Sequence, residues 1–126
     1  MIASLYDYAS FYLTQIHVRL RLPKMKKNEI KERLLTAVKN DPNSADIKYV
    51  ALFGSYVNGT PSEDSDIDIL IDFYPQAIVG LFKYVDIQEN FAKALGKKVD
   101  LLTPQAISKY FRDQVLQEAE TVYEGR

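Results

Sequence analysis

The sequence predicts an α/β (α+β) fold, a small mixed β-sheet with helices packed against it. Three observations carry that expectation. Apolar residues recur at helical spacing in three separate stretches, short apolar or alternating stretches lie between them, and Gly, Pro, Asn and Asp punctuate the joins. The chain has 126 residues, enough for one domain with a single core and too few for two of ordinary size.

In chain order, Val18, Leu20 and Leu22 alternate with His17, Arg19 and Arg21, which predicts a short strand before Pro23. From Met25, "MKKNEIKERLLTAVKN" reads as an amphipathic helix with Asn28 as its N-cap and Ile30, Leu34, Ala37 and Val38 on one face. The turn residues of "NDPNSAD" end it. "IKYVALF" (47–53) follows as a buried strand, and residues 54–65 form a loop or one helical turn punctuated by Gly54, Gly59 and Pro61. "DIDILIDF" (66–73) is a second strand. Period-2 alternation puts Ile67, Ile69 and Ile71 on one face and Asp66 and Asp68 on the other. From Ile78 to Leu95 the residues Leu81, Tyr84, Val85, Phe91, Ala92 and Leu95 keep helical spacing, with Gln88 the exception and Gly96 the stop. "KKVDLLT" is a third strand, Thr103-Pro104-Gln105 starts a helix running toward Ala119, and "TVYE" closes the chain as a last strand.

The formal net charge is −1, which argues against a general nucleic-acid or membrane-surface protein. The exception is local: His17 to Arg33 is rich in Lys and Arg, read either as a solvated helix start or as a contact surface for an acidic partner. No stretch approaches the roughly 20 apolar residues needed to span a bilayer. The chain contains no cysteine, so disulfides and thiolate metal sites are excluded, in keeping with a reducing cytoplasm. The lone histidine, His17, reads as a surface or strand-edge residue. Most of the nine tyrosines read as core or interface residues.

The chemistry concentrates in "LFGSYVNGTPSEDSDIDILIDF" (52–73). Aspartate is a poor strand former, and Asp66 and Asp68, two residues apart, send both carboxylates from one side of the sheet. Their repulsion raises the pKa of one or both unless a cation intervenes. Hard divalent ions take oxygen ligands and commonly use one or two carboxylates with phosphate oxygens. Asp100, flanked by apolar residues in "KVDLL", brings a third carboxylate if its strand lies beside 66–73. Three carboxylates on one patch suit a pair of Mg2+ ions bridging a nucleoside triphosphate. Gly54 and Ser55 follow a buried strand. The glycine allows close backbone approach to a ligand, and N–H groups of a helical turn over 55–58 would face phosphates, with the Ser55 hydroxyl as a further donor.

Gly-Ser, a ten-residue spacer to Asp66-x-Asp68, the "SDIDIL" context and the later "VDLL" together resemble the minimal nucleotidyltransferase (MNT) family of the DNA polymerase beta-type superfamily. Each part alone is weak; the combination on these elements is specific. The likeness runs from about Met25 to the C-terminus. It implies the nucleotidyltransferase fold, with Asp66 and Asp68 binding two Mg2+ ions and Asp100 completing one metal site and helping to deprotonate the acceptor hydroxyl. It also implies that Gly54 and Ser55 hold the β- and γ-phosphates of ATP, with Ser65 a further nucleotide-binding residue. One departure stands out. Many relatives carry arginine just before the second glycine of this loop, where this chain has Asn58; Lys83, Lys97, Lys98 or a partner is left to supply the phosphate contact.

The catalytic core uses almost the whole chain, so no second domain remains to orient an acceptor, a contribution of about 7–11 kcal/mol for well-placed reactants. A partner that is itself the acceptor would supply the orientation. The resemblance implies such a partner: an HEPN-type ribonuclease toxin, whose tyrosine receives AMP from ATP, making this chain the antitoxin in a hetero-complex. Two other readings stay open, a binding-only antitoxin and an enzyme modifying a small molecule such as an aminoglycoside, the latter using a homodimer. Residues 1–24 lie outside the resemblance. They are an extension of uncertain role or an element that covers a sheet edge or mediates oligomerisation, while 25–126 is the minimal nucleotidyltransferase domain.

Overall fold

A computed structural model describes residues 25–59, 61 and 65–126. The strand expected over 18–22, His17 and the whole 1–24 extension lie outside the described residues. The elements in order are α1 (Lys27–Asn40), a 3-10 turn (Ser44–Asp46), β1 (Ile47–Phe53), the single helical turn α2 (Ser55–Asn58), β2 (Ile67–Phe73), α3 (Leu81–Leu95), β3 (Val99–Leu102), a second 3-10 turn (Pro104–Ala106), α4 (Lys109–Glu118) and β4 (Glu120–Glu124).

The four strands of the described residues form one mixed sheet in the order β3-β2-β1-β4. β1 pairs antiparallel with both β2 and β4, whereas β2 and β3 run parallel. Parallel neighbours need a long crossover, and α3 is that crossover. α1 and α3 pack against each other and bury Ile30, Leu34 and Val38 of one and Ile87, Phe91 and Leu95 of the other. These side chains join Ile67, Ile69 and Ile71 of β2 in one core, so the isoleucine face of the alternating strand is the covered face. Buried Asp41 fastens the two helices. Its carboxylate accepts from Asn90 Nδ2 at 3.1 Å and from the Asn43 backbone N–H at 2.8 Å.

Several local expectations are corrected. Asn28 does not cap α1; it lies inside the helix, which begins at Lys27, two residues earlier than expected, with Lys26 at the N-cap and no side-chain bond. α3 begins at Leu81 rather than Ile78, because Gly80 is extended. Its buried stripe is Ile87, Phe91 and Leu95, while Leu81, Phe82 and Val85 are exposed, so the first turns overhang the core. The helix expected from Thr103 is broken: Pro104 starts only a 3-10 turn, and α4 starts afresh after Ser108, whose hydroxyl accepts from the Tyr110 N–H. Gly96 does end α3, in the left-handed conformation with its N–H bonded to the Ala92 carbonyl.

Among the described residues β3 is an edge strand, and the Tyr84 hydroxyl donates to the Leu101 carbonyl on it. Burial, and then the Asp100 carboxylate, hold the Tyr84 phenol above its ordinary value of 10.0, so it stays protonated and remains a donor. No helix of the described residues is long and apolar enough to cross a membrane.

Phe91 is a fully buried aromatic between α1, α3 and the sheet. Truncating it leaves a cavity as well as lost transfer energy, so Phe91→Ala lowers unfolding stability by about 3–5 kcal/mol. Urea denaturation followed by circular dichroism reads this as a lower midpoint at unchanged slope.

Candidate active site

β1 and β2 are antiparallel and β2 and β3 parallel, so the C-terminal end of β1 and the N-terminal ends of β2 and β3 meet at one end of the sheet. The sequence-predicted residues gather there. Asp68 and Asp100 are Cα partners across the parallel β2–β3 pair, and Phe53, the residue before Gly54, is the Cα partner of Asp68 on the other side. Asp66 precedes the first residue of β2 and lies within electrostatic range of Asp68. Alternation sends Asp68 away from the covered isoleucine face, so the carboxylates stand on the face that α1 and α3 leave open.

Gly54 has φ +76°, where side chains are strained, and a Cβ placed on it would overlap the Asp68 carboxylate. No residue larger than glycine fits between β1 and this acid without moving it. Immediately afterwards the chain turns once as α2: the Val57 and Asn58 N–H groups return to the Gly54 carbonyl and that of Gly59 to the Ser55 carbonyl. Ser55 thus opens a helical turn beside Asp68. Ser65 reaches the same end by another route, its carbonyl receiving Lys97 Nζ at 3.5 Å.

The electrostatics follow from crowding like charges. Burial raises the Asp68 pKa from its ordinary 3.8, and the neighbouring Asp100 and Asp66 carboxylates raise it further. Lys98 offsets part of this charge, with its ammonium 3.9 Å from Asp66 Oδ2. The donors are all oxygen, which fits a hard divalent ion such as magnesium and not a thiolate- or imidazole-seeking metal. Among the described residues, no three acidic side chains close around one point as a complete ligand cage. Magnesium commonly keeps waters and takes one or two carboxylates with phosphate oxygens.

Of the candidate basic residues, the structure brings Lys97 and Lys98 to this end and takes Lys83 away. Lys83 pairs with Asp46 at 2.7 Å, beside the start of β1, at the opposite end of the sheet. Asn58 is turned toward α4, its Nδ2 donating to Glu118 Oε2 at 2.6 Å. That contact was not foreseeable locally, since it joins residues sixty positions apart. A shallow depression of about 750 Å³ between α1 and α3, lined by Arg33, Thr36, Asp41 and Asn90 among others, lies on the covered side of the sheet and away from the carboxylates.

Residues 28–126 match the family model described as "Polymerase beta, Nucleotidyltransferase". The chain belongs to that family. Among its relatives is the protein adenylyltransferase MntA of Thermococcus cleftensis, 36% identical over 88 residues, which cover 69% of this chain and 87% of that protein. A solved toxin–antitoxin structure with AMP-PNP shares the fold at 24% identity and a TM-score of 0.59, covering 76% of this chain and 74% of that one. So does a complex of a tri-AMPylated Shewanella oneidensis HEPN toxin with an MNT antitoxin, at 20% identity and a TM-score of 0.55, covering 79% and 73%. As a polymerase beta-type nucleotidyltransferase, the chain has the mixed sheet with packed helices expected of it, and it is an enzyme of nucleotidyl transfer.

The raised Asp68 pKa has a stability consequence. The folded nucleotidyltransferase holds the Asp68 proton more tightly than the unfolded chain does, so this contribution is complete below pH 3.8 and is lost as pH rises through the higher folded value. At neutral pH, without divalent metal, the ionised group therefore costs stability. Asp68→Asn raises the melting temperature by a few degrees in chelator at pH 7, and the advantage shrinks as pH falls toward 3.8. Differential scanning fluorimetry across pH checks this. Magnesium raises the wild-type melting temperature and leaves that of the variant nearly unmoved.

Proposed function

We propose that this chain transfers AMP from ATP, with Mg2+, to a tyrosine hydroxyl of a partner protein, an HEPN-type ribonuclease toxin, and thereby acts as its antitoxin in the cytoplasm. The observation that carries the chemistry is the parallel β2–β3 register, which sets Asp68 opposite Asp100 with Asp66 beside them and Gly54 packed against Asp68. What supports a protein as acceptor is the relation to a protein named as a protein adenylyltransferase. What supports a toxin as that protein is the fold shared with toxin–antitoxin complexes.

In this reading Asp66, Asp68 and Asp100 would hold two divalent ions, which would neutralise phosphate charge at the reacting phosphorus. Gly54 leaves room for the phosphate chain to approach the backbone, and Ser55 and Ser65 donate to it. The acceptor oxygen attacks the α-phosphorus. The bond from that phosphorus to the α–β bridging oxygen breaks, and pyrophosphate departs with the electron pair. Asp100, the most exposed of the three carboxylates, takes the hydroxyl proton. The product is a phosphodiester on the partner's tyrosine, which adds bulk and negative charge where an RNA backbone would bind.

Intact-mass spectrometry of the cognate partner after incubation with this chain and Mg-ATP tests the proposal. AMP-sized additions are expected with wild type and absent with the Asp66→Asn, Asp68→Asn double variant. A partner that is bound and silenced without any mass change would instead make this chain a masking protein.

A further inference from the structure

We infer that Tyr84 is a positioning residue: its hydroxyl latches the outer edge of β3 and thereby holds Asp100 opposite Asp68. The inference rests on the metal-binding reading of the three carboxylates above and adds a residue from outside them.

β3 is short and held from one side. It has four residues, and among the described residues it pairs only with β2. An edge strand turns half of its backbone groups away from the ladder. Which half follows from a single bond. The Ile67 N–H donates to the Lys98 carbonyl at 3.0 Å, and Ile67 is the Cα partner of Val99. Alternation along a parallel ladder then turns the backbone groups of Lys98, Asp100 and Leu102 toward β2 and those of Val99 and Leu101 outward. The Leu101 carbonyl is therefore an outward-facing edge group, and it accepts the Tyr84 hydroxyl.

The load on this strand falls at Asp100. Its carboxylate stands across the ladder from that of Asp68, and without a cation the two repel. Val99 and Leu101 hold the strand down by burying on the covered face. Such burial is non-directional and leaves the sideways position of the strand loosely set. A hydrogen bond is directional, and this one grips the strand one residue beyond Asp100. Its donor is itself well fixed. The Tyr84 ring packs against the core, and Ile87 and Phe91 on the following turns of α3 are fully buried. The helix that delivers the chain into β3 thus also clamps its outer edge. A carboxylate that shares an ion with a neighbour has to be held within about 0.5 Å, and groups outside the ligand set commonly do this.

The test compares wild type with Tyr84→Phe, which keeps the ring in the core and removes only the donor. Mn2+, a probe suited to carboxylate ligands, is titrated into the full chain and followed by loss of the free-ion electron paramagnetic resonance signal. Backbone hydrogen exchange is read on the same proteins by mass spectrometry. Tyr84→Phe is expected to weaken Mn2+ binding about 10-fold and to speed exchange in β3, with α1 kept at its wild-type rate. Unchanged Mn2+ affinity would make the latch merely structural and overturn the inference. So would exchange that rises equally in α1 and β3, or in neither. If the wild-type chain bound no Mn2+, the metal-binding reading of Asp66, Asp68 and Asp100 would itself fall, and this inference with it.

Discussion

The parallel pairing of β2 with β3 places Asp68 and Asp100 side by side, and the rest of the structure is arranged around tolerating that contact. Two adjacent carboxylates repel, and Asp66 adds a third. An apolar pair at the same positions would hold the strands together more firmly. Below the site, Ile67, Ile69 and Ile71 bury completely against α1 and α3, so the strand is anchored by the opposite face of the same residues' neighbours. The alternation of β2 divides labour residue by residue: isoleucines secure the strand, aspartates strain it. Proteins commonly concentrate such local conflicts where function lies.

Gly54 shows how tightly the conflict is confined. Its positive φ turns the chain at the end of β1, and its missing Cβ is the space in which the Asp68 carboxylate sits. One residue thus ends a core strand, launches the turn carrying Ser55 and admits a charged neighbour. The Lys98–Asp66 pair relieves the remaining charge weakly, because at 3.9 Å and largely in water such a contact contributes little stability.

Much of this was legible in the sequence. The strands at 47–53 and 66–73, the strand around Asp100 and the closing strand all show period-2 or continuous apolar patterns, and the Gly-Ser to Asp-x-Asp spacing marks the chemistry. What stayed hidden depended on tertiary contacts. Lys83 lies in the first turn of α3 and Lys97 just past its Gly96 stop, and neither neighbourhood names its partner; only the fold sends one to Asp46 and the other to Ser65. The face of α3 was misread in part because Leu81 and Val85 satisfy a helical pattern without meeting the core, whereas Ile87 does meet it. Asn28 resembles a cap by type, yet the helix extends past it to Lys27. The break before Ser108 is a cap signal masked by the stronger one at Pro104.

The strand order carries a consequence for the order of folding. β1 is flanked by β2, its near neighbour in sequence, and by β4, which arrives from the far end of the chain. All pairings that assemble the carboxylates are available once Leu102 is in place. Closing the much longer loop to β4 carries a larger entropy cost and follows later. Until then one side of β1, the apolar run "IKYVALF", is an unpaired edge able to recruit a strand from another chain. The last five-residue strand therefore acts as a seal on the central strand.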